Sequence, residues 1–162
     1  MADPDTARNT GGILRLLAHL PLVAAILFGS LTLAAAGMLN IDKATGLAIK
    51  GYDPVAYFAD GKAIEGDPAI TAEHDGALYR FASVAHRDTF AADPEKYAPQ
   101  FGGFCAYGIA KGVKAGVEPD KFTIVDGRLY LNYNASVQET WRGDIPGYLA
   151  KARENWQQLS AD

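Results

Sequence analysis

Alternating apolar and polar side chains predict two β-hairpins in this chain. Residues 69–82 (AITAEH-DG-ALYRFA) contain two alternating runs on either side of Asp75-Gly76. Residues 122–133 (FTIV-DG-RLYLNY) have the same arrangement around Asp126-Gly127. Asp-Gly between alternating runs is a strong hairpin signal, because both residues tolerate the positive φ of a tight two-residue turn.

Capping residues and helical spacing predict helices between and after the hairpins. Ser83 is a good N-cap for a helix from about 84 to 92, and Asn134 or Ser136 caps another that ends near Arg142. Asp144 begins a last helix, whose apolar side chains form one stripe: Tyr148, Leu149, Ala152, Trp156 and Leu159. We therefore expect an α+β fold, in which a small antiparallel sheet built from the two Asp-Gly hairpins packs with two or three helices.

A long apolar segment near the N-terminus predicts export. Residues 16–41 contain no Asp, Glu, Lys or Arg. The small residues at 34–36 (AAA) favour a cleaved signal peptide over residues 1–36, whereas the length of the apolar run also allows a membrane anchor over residues 16–39. Either alternative places a single domain, residues 37–162, in the periplasm or outside the cell.

Charge and cysteine content narrow the possible functions. The chain has 162 residues and a net charge of −4, and it contains no basic run, which argues against a nucleic-acid partner. Membrane contact is expected only through an uncleaved N-terminal segment, and no protein partner can be named. Cys105 is the only cysteine. In an oxidising compartment an odd cysteine indicates intermolecular pairing, burial, a reactive thiol or a metal.

Four side chains are candidate metal ligands. His86 falls in the first turn of a predicted helix, where the helix dipole favours the neutral, metal-binding imidazole; alternatively, it packs under Phe90 with one hydrogen bond. Cys105 lies between two aromatic residues and is either a buried inert thiol or a metal thiolate. His74 is either a solvated residue beside a turn or a ligand, and Asp53 is either a turn residue or part of a site.

Several motifs resemble the YHS domain, and in particular the stand-alone exported YHS proteins of bacteria. The similar segments are GYDPVAYF, YRFAS with His86 and Phe90 after it, PEKY, and QFGGFCA. The resemblance covers about Gly51 to Trp156. Other YHS domains occur beside copper-transporting ATPases, where paired cysteines suggest metal binding. In this chain Ala56 and Ala82 stand where that version has cysteines, so its ligands cannot be transferred.

The resemblance implies a metal-binding module. The candidate ligands come from this chain itself: His86 and Cys105, with His74, Asp53 or a tyrosine, would form a mixed site that suits copper or zinc. A non-catalytic module that binds a protein or a small ligand without metal is the alternative. An enzyme that uses Cys105 as nucleophile, with His86 as base, is less favoured, because no hydrolase motif surrounds the cysteine. Whether the protein is an enzyme stays open, and the sequence favours a protein without catalysis.

Overall fold

The computed structural model describes residues 38–161. The predicted signal peptide or anchor at residues 1–36 lies outside the described residues. Within the described part of the chain, no helix is both long enough and apolar enough to cross a membrane.

Both predicted hairpins are present and antiparallel. Strand β1 (Asp67–His74) pairs with β2 (Ala77–Phe81), and β3 (Glu118–Val125) pairs with β4 (Arg128–Asn132). Each hairpin is a two-stranded sheet of its own. The predicted α+β class is confirmed, and its sheet portion consists of two ribbons.

Positive φ angles explain why Asp-Gly occupies both hairpin turns. In the first turn φ is 49° at Asp75 and 83° at Gly76, and in the second it is 50° at Asp126 and 70° at Gly127. Two successive positive φ angles define the turn whose twist matches that of the paired strands. The register next to each turn therefore follows from local sequence, and each register shifts farther from the turn, between Asp67 and Thr71 and between Glu118 and Phe122.

Six α-helices occur among residues 38–161. Three of them begin at the predicted side-chain caps: Ser83 accepts a hydrogen bond from His86 N, Asn134 from Val137 N, and Asp144 from Gly147 N. Asn134, and not Ser136, therefore caps the fifth helix. The helices are α1 (Ala56–Ala59), α2 (Val84–Ala92), α3 (Pro94–Tyr97), α4 (Ala106–Ala110), α5 (Ala135–Gly143) and α6 (Ile145–Leu159).

The main hydrophobic core joins the two ribbons. Phe81 of β2 and Leu129 and Leu131 of β4 are buried in one cluster with Phe90 of α2. On the other face of β4, Tyr130 packs in a second cluster with the fully buried Trp141 of α5. Both faces of β4 are therefore buried, and the apolar surface removed from water on each face stabilises the packing of this strand.

Helix α6 packs along its predicted apolar stripe. Leu149 belongs to the second cluster and Ala152 to a third, and both are buried. Tyr148, Trp156 and Leu159 are partly buried against these clusters. Trp156 also contacts Phe101 at a centroid distance of 5.9 Å. The last helix thus supports the glycine-rich segment between α3 and α4.

Candidate functional site

The four predicted ligands do not form one cluster. In residues 38–161, the one group of three or more His, Cys, Asp or Glu side chains whose ligand atoms all lie within 4.8 Å of one another is His74, Asp75 and Glu95. Asp53 and His86 contact each other elsewhere, and Cys105 lies in the main hydrophobic core. Three environments must therefore be considered separately.

Asp53 is a fully buried carboxylate with four hydrogen-bond donors around it. Its Oδ1 accepts from the backbone amides of Val55 (2.8 Å) and Ala56 (3.3 Å). Its Oδ2 lies 2.8 Å from the Ala82 amide and 2.7 Å from His86 Nδ1. The carboxylate therefore holds together the start of α1, the end of β2 and the first turn of α2, and its oxygens are already used by the fold.

The contact with Asp53 fixes which nitrogen of His86 faces outward. A carboxylate oxygen accepts, so Nδ1 carries the proton and Nε2 has the free lone pair when the ring is neutral. The nearest acidic atom to Nε2 is Asp60 Oδ2, at 3.9 Å. Carboxylate support of this kind is common behind metal-binding histidines. Among residues 38–161, however, this Asp60 oxygen is the one further acidic atom close to Nε2, so His86 and Asp60 together supply two of the three or four protein ligands that a zinc site has.

Cys105 has a structural contact. It is 1% exposed, and its Sγ accepts a hydrogen bond from the Gly108 amide at 3.4 Å, which caps the start of α4. No histidine among residues 38–161 hydrogen-bonds to this sulfur. The structure therefore does not place Cys105 with His86, the pairing on which both the predicted mixed site and the cysteine-enzyme alternative depended.

His74 is the centre of the third environment. It is the last residue of β1, and its Nε2 lies 3.3 Å from Asp75 Oδ2 and 3.9 Å from Glu95 Oε1. The imidazole is mostly buried, with its ring edge against Phe90 at a centroid distance of 6.0 Å, whereas both carboxylates are exposed. The His74 imidazole, which packs against the core, thus directs Nε2 toward the two solvated carboxylates of Asp75 and Glu95.

Two elements bring these acids to His74. The tight turn after β1 places Asp75 directly beside it, because Asp75 adopts a positive φ there. Glu95 comes from α3, which Pro94 begins and Tyr97 anchors by its edge-on contact with Phe58, at 5.2 Å. Asp75 and Glu95 were not predicted as site residues. Adjacency to His74 was the available signal for Asp75, whereas nothing local indicates Glu95.

A cavity of about 730 Å³ adjoins this group. The ionisable residues in its lining are His74, Asp75, Glu95 and Tyr79. The rest of the lining forms a mainly apolar wall of Met38, Leu39, Ala98, Pro99, Phe101 and Trp156, together with Gln100, Gly76 and Gly102. Volumes of 300–1,000 Å³ and mainly apolar walls with a few polar groups are typical of small-molecule sites.

Tyr79 contributes a hydroxyl to this cavity. The residue is 4% exposed and lines the cavity. Burial raises the pKa of Tyr79 far above its usual value, and the nearby Asp75 charge raises it further. The hydroxyl therefore stays protonated at neutral pH and can donate a hydrogen bond into the cavity.

Comparison of the chain with protein-family models, curated proteins and solved structures finds no match. The resemblance to the YHS domain, which depends on the motifs above, stays a prediction.

Proposed function

We propose that the protein binds a divalent metal ion, zinc or copper, through His74, Asp75 and Glu95. The 3.3 Å distance between His74 Nε2 and Asp75 Oδ2 carries this proposal. Ligands bound at ~2.0–2.1 Å in tetrahedral geometry lie roughly 3.3 Å from each other. Glu95 Oε1, at 3.9 Å, reaches the same separation by a small rotation of an exposed side chain.

The chemistry of the donors favours Zn²⁺ or Cu²⁺ over softer ions. One imidazole and two carboxylates are nitrogen and oxygen ligands, whereas cuprous ion prefers sulfur, and Cys105 is not part of this group. The two carboxylates also neutralise the charge of a divalent cation. Because they are solvated, little desolvation free energy opposes binding, and three protein ligands leave a coordination position for water or another ligand.

Two sequence features support this proposal from outside the site. The YHS-like motifs suggest a metal-associated family, and the apolar segment at residues 16–39 suggests a periplasmic or secreted location. An exported module that binds zinc or copper is consistent with both. The alternative from sequence, a small-ligand module without metal, shares the same cavity and is distinguished from the proposal by direct metal titration.

The test is titration of the chelator-treated full chain with Zn²⁺, and separately with Cu²⁺, in competition with a chromophoric chelator. We expect one ion per chain. His74→Ala should lower affinity at least about 30-fold, and Asp75→Asn and Glu95→Gln about tenfold each, where tenfold corresponds to about 1.4 kcal/mol. Glu73→Gln is the matched control, because it removes the same charge as Glu95→Gln. Glu73 is exposed and directly precedes His74 in β1, so its side chain points to the face of the strand opposite to that of His74.

Two results would contradict this proposal. One is a wild-type affinity that His74→Ala leaves unchanged. The other is loss of binding in His86→Ala with retention in His74→Ala, which would move the metal to the His86–Asp60 pair. Circular dichroism of each variant shows whether a loss of affinity merely reflects unfolding.

A further inference from the structure

The cavity beside His74 is much larger than a single metal ion, and most of its lining is apolar. A bound ion needs three ligand atoms within a few ångströms, yet the cavity extends from these atoms along an apolar wall to Trp156. We infer that the cavity takes a small organic anion with an aromatic body and a bidentate oxygen head, of the hydroxamate or catecholate class, whose head binds the metal held by His74, Asp75 and Glu95. This inference rests on the proposed function.

The apolar wall is built before any ligand binds. Asn40 donates its backbone amide to Gly102 O (2.8 Å) and its side-chain amide to Gly103 O (2.9 Å). These bonds fix the segment that carries Met38 and Leu39 against the glycine-rich turn. A side chain at Gly102 would overlap Met38 O, so a glycine is required for this close approach.

Aromatic contacts make the same wall rigid. Trp156 packs against Phe101 at 5.9 Å and against Phe104 at 6.4 Å, and Phe101 in turn packs against Tyr130 at 5.9 Å. A ligand ring that enters the cavity meets a surface already held in place. Preorganisation of this kind increases affinity, because little side-chain entropy is lost on binding.

Charge makes the binding of such an anion depend on metal. No Lys or Arg is among the described residues that line the cavity, and Asp75 and Glu95 are its acidic groups. A hydroxamic acid or a catechol is neutral at neutral pH, and its head becomes a bidentate anion by releasing a proton to solvent when it binds the metal. Without metal, these two carboxylates disfavour the ionised head. A divalent cation cancels their charge, and a bound ion is the largest local charge in such a site. The bidentate head takes the fourth coordination position and adds a fifth, an expansion that zinc sites with three protein ligands allow. The Tyr79 hydroxyl can then donate a hydrogen bond to an oxygen of the head.

Two hydroxamates with the same head separate the contribution of the metal from that of the wall. Zinc affinity of the full chain is measured first, and then benzohydroxamic acid and acetohydroxamic acid are titrated into the zinc-loaded and the zinc-free protein by calorimetry. We expect benzohydroxamate to bind zinc-loaded protein at least about tenfold more tightly than acetohydroxamate, and at least about tenfold more tightly than it binds zinc-free protein. Gel filtration verifies that zinc stays on the protein.

Two variants locate the ligand. Trp156→Leu shortens the apolar wall and should lower benzohydroxamate affinity about tenfold, with zinc affinity and acetohydroxamate affinity unchanged. Tyr79→Phe removes only the hydroxyl and should lower the affinity for both hydroxamates several-fold without altering zinc affinity.

The outcomes distinguish this inference from the proposed function. If neither zinc nor copper binds, both are overturned, and if only copper binds, the same titrations are made with copper-loaded protein. If zinc binds and the two hydroxamates bind equally, or if they bind equally well with and without zinc, the metal site stands and the ligand inference is overturned. Removal of zinc from the protein by the hydroxamate, or unchanged benzohydroxamate affinity in folded Trp156→Leu, overturns it as well.

Discussion

The Asp53 carboxylate lies 2.7 Å from His86 Nδ1 and has no exposure to solvent. Residues 33 positions apart in sequence thereby connect the turn before α1 to the first turn of α2. A buried carboxylate is tolerated only when hydrogen bonds replace its lost hydration, and here four donors do so. The pair therefore has a structural role in joining these segments, whichever ligand the protein binds.

Asp53→Asn should destabilise the protein by about 2–4 kcal/mol. An amide has one oxygen where the carboxylate has two, so its NH₂ group must face the Ala82 and His86 donors or those of Val55 and Ala56. Denaturant unfolding, monitored by tryptophan fluorescence, measures the change. Asp60→Asn is the control, because this exposed carboxylate is 3.9 Å from His86 and should change stability by less than about 1 kcal/mol. Equal stability of Asp53→Asn and wild type would contradict the structural role.

Local interactions explain which parts of the fold could be predicted from sequence. The Ser83 hydroxyl accepts a hydrogen bond from the amide of His86, three positions away. Each Asp-Gly turn connects two strands that directly flank it in sequence and pair with each other. Such contacts are encoded in short segments. That the hairpins form separate ribbons depends on which faces pack on α2 and α5, and no local pattern specifies this.

The candidate site was less predictable because it depends on contacts between residues that are distant in sequence. His74 and Asp75 are adjacent, but Glu95 reaches them only because α3 packs beside the first hairpin turn. Cys105 was a predicted metal ligand because it is the only cysteine in the sequence. In the structure its sulfur accepts a hydrogen bond at the start of α4. A rare residue type thus indicated chemistry where the structure shows a packing role, and a common glutamate completes the only three-ligand group in residues 38–161.

Native Cys105 should react slowly with alkylating reagents. Its side chain is 1% exposed and its sulfur accepts the Gly108 amide, so reaction requires local or global opening of the fold. We expect alkylation by iodoacetamide to be at least about 100-fold slower in native protein than in protein unfolded by urea, because only the open fraction reacts. Mass spectrometry of timed samples measures both rates, and Cys105→Ser verifies that no other residue is modified. A native rate close to that of the unfolded chain would show an accessible thiol and restore it as a candidate ligand or nucleophile.

Two buried tyrosines should make the protein less stable at alkaline pH. Burial is the main cause that raises the pKa of Tyr57 and of Tyr79 far above their usual value near 10. Both therefore remain protonated in the folded protein, whereas in the unfolded chain they lose their protons near pH 10. Tyr57 also donates its hydroxyl to Pro119 O at 2.9 Å, which a phenolate could not do.

The sign of the pH dependence follows from these raised pKa values. The folded state binds more protons than the unfolded state above pH 10, so the free energy of unfolding is unaffected below that pH and falls above it. Each tyrosine should contribute a slope of about 1.4 kcal/mol per pH unit. Urea unfolding between pH 8 and about pH 11.5 measures the total slope. Tyr79→Phe should reduce it by about 1.4 kcal/mol per unit. Tyr133→Phe, at a 54% exposed position, should leave it unchanged. Equal slopes for the two variants would show that the Tyr79 hydroxyl already ionises with its ordinary pKa in the folded protein.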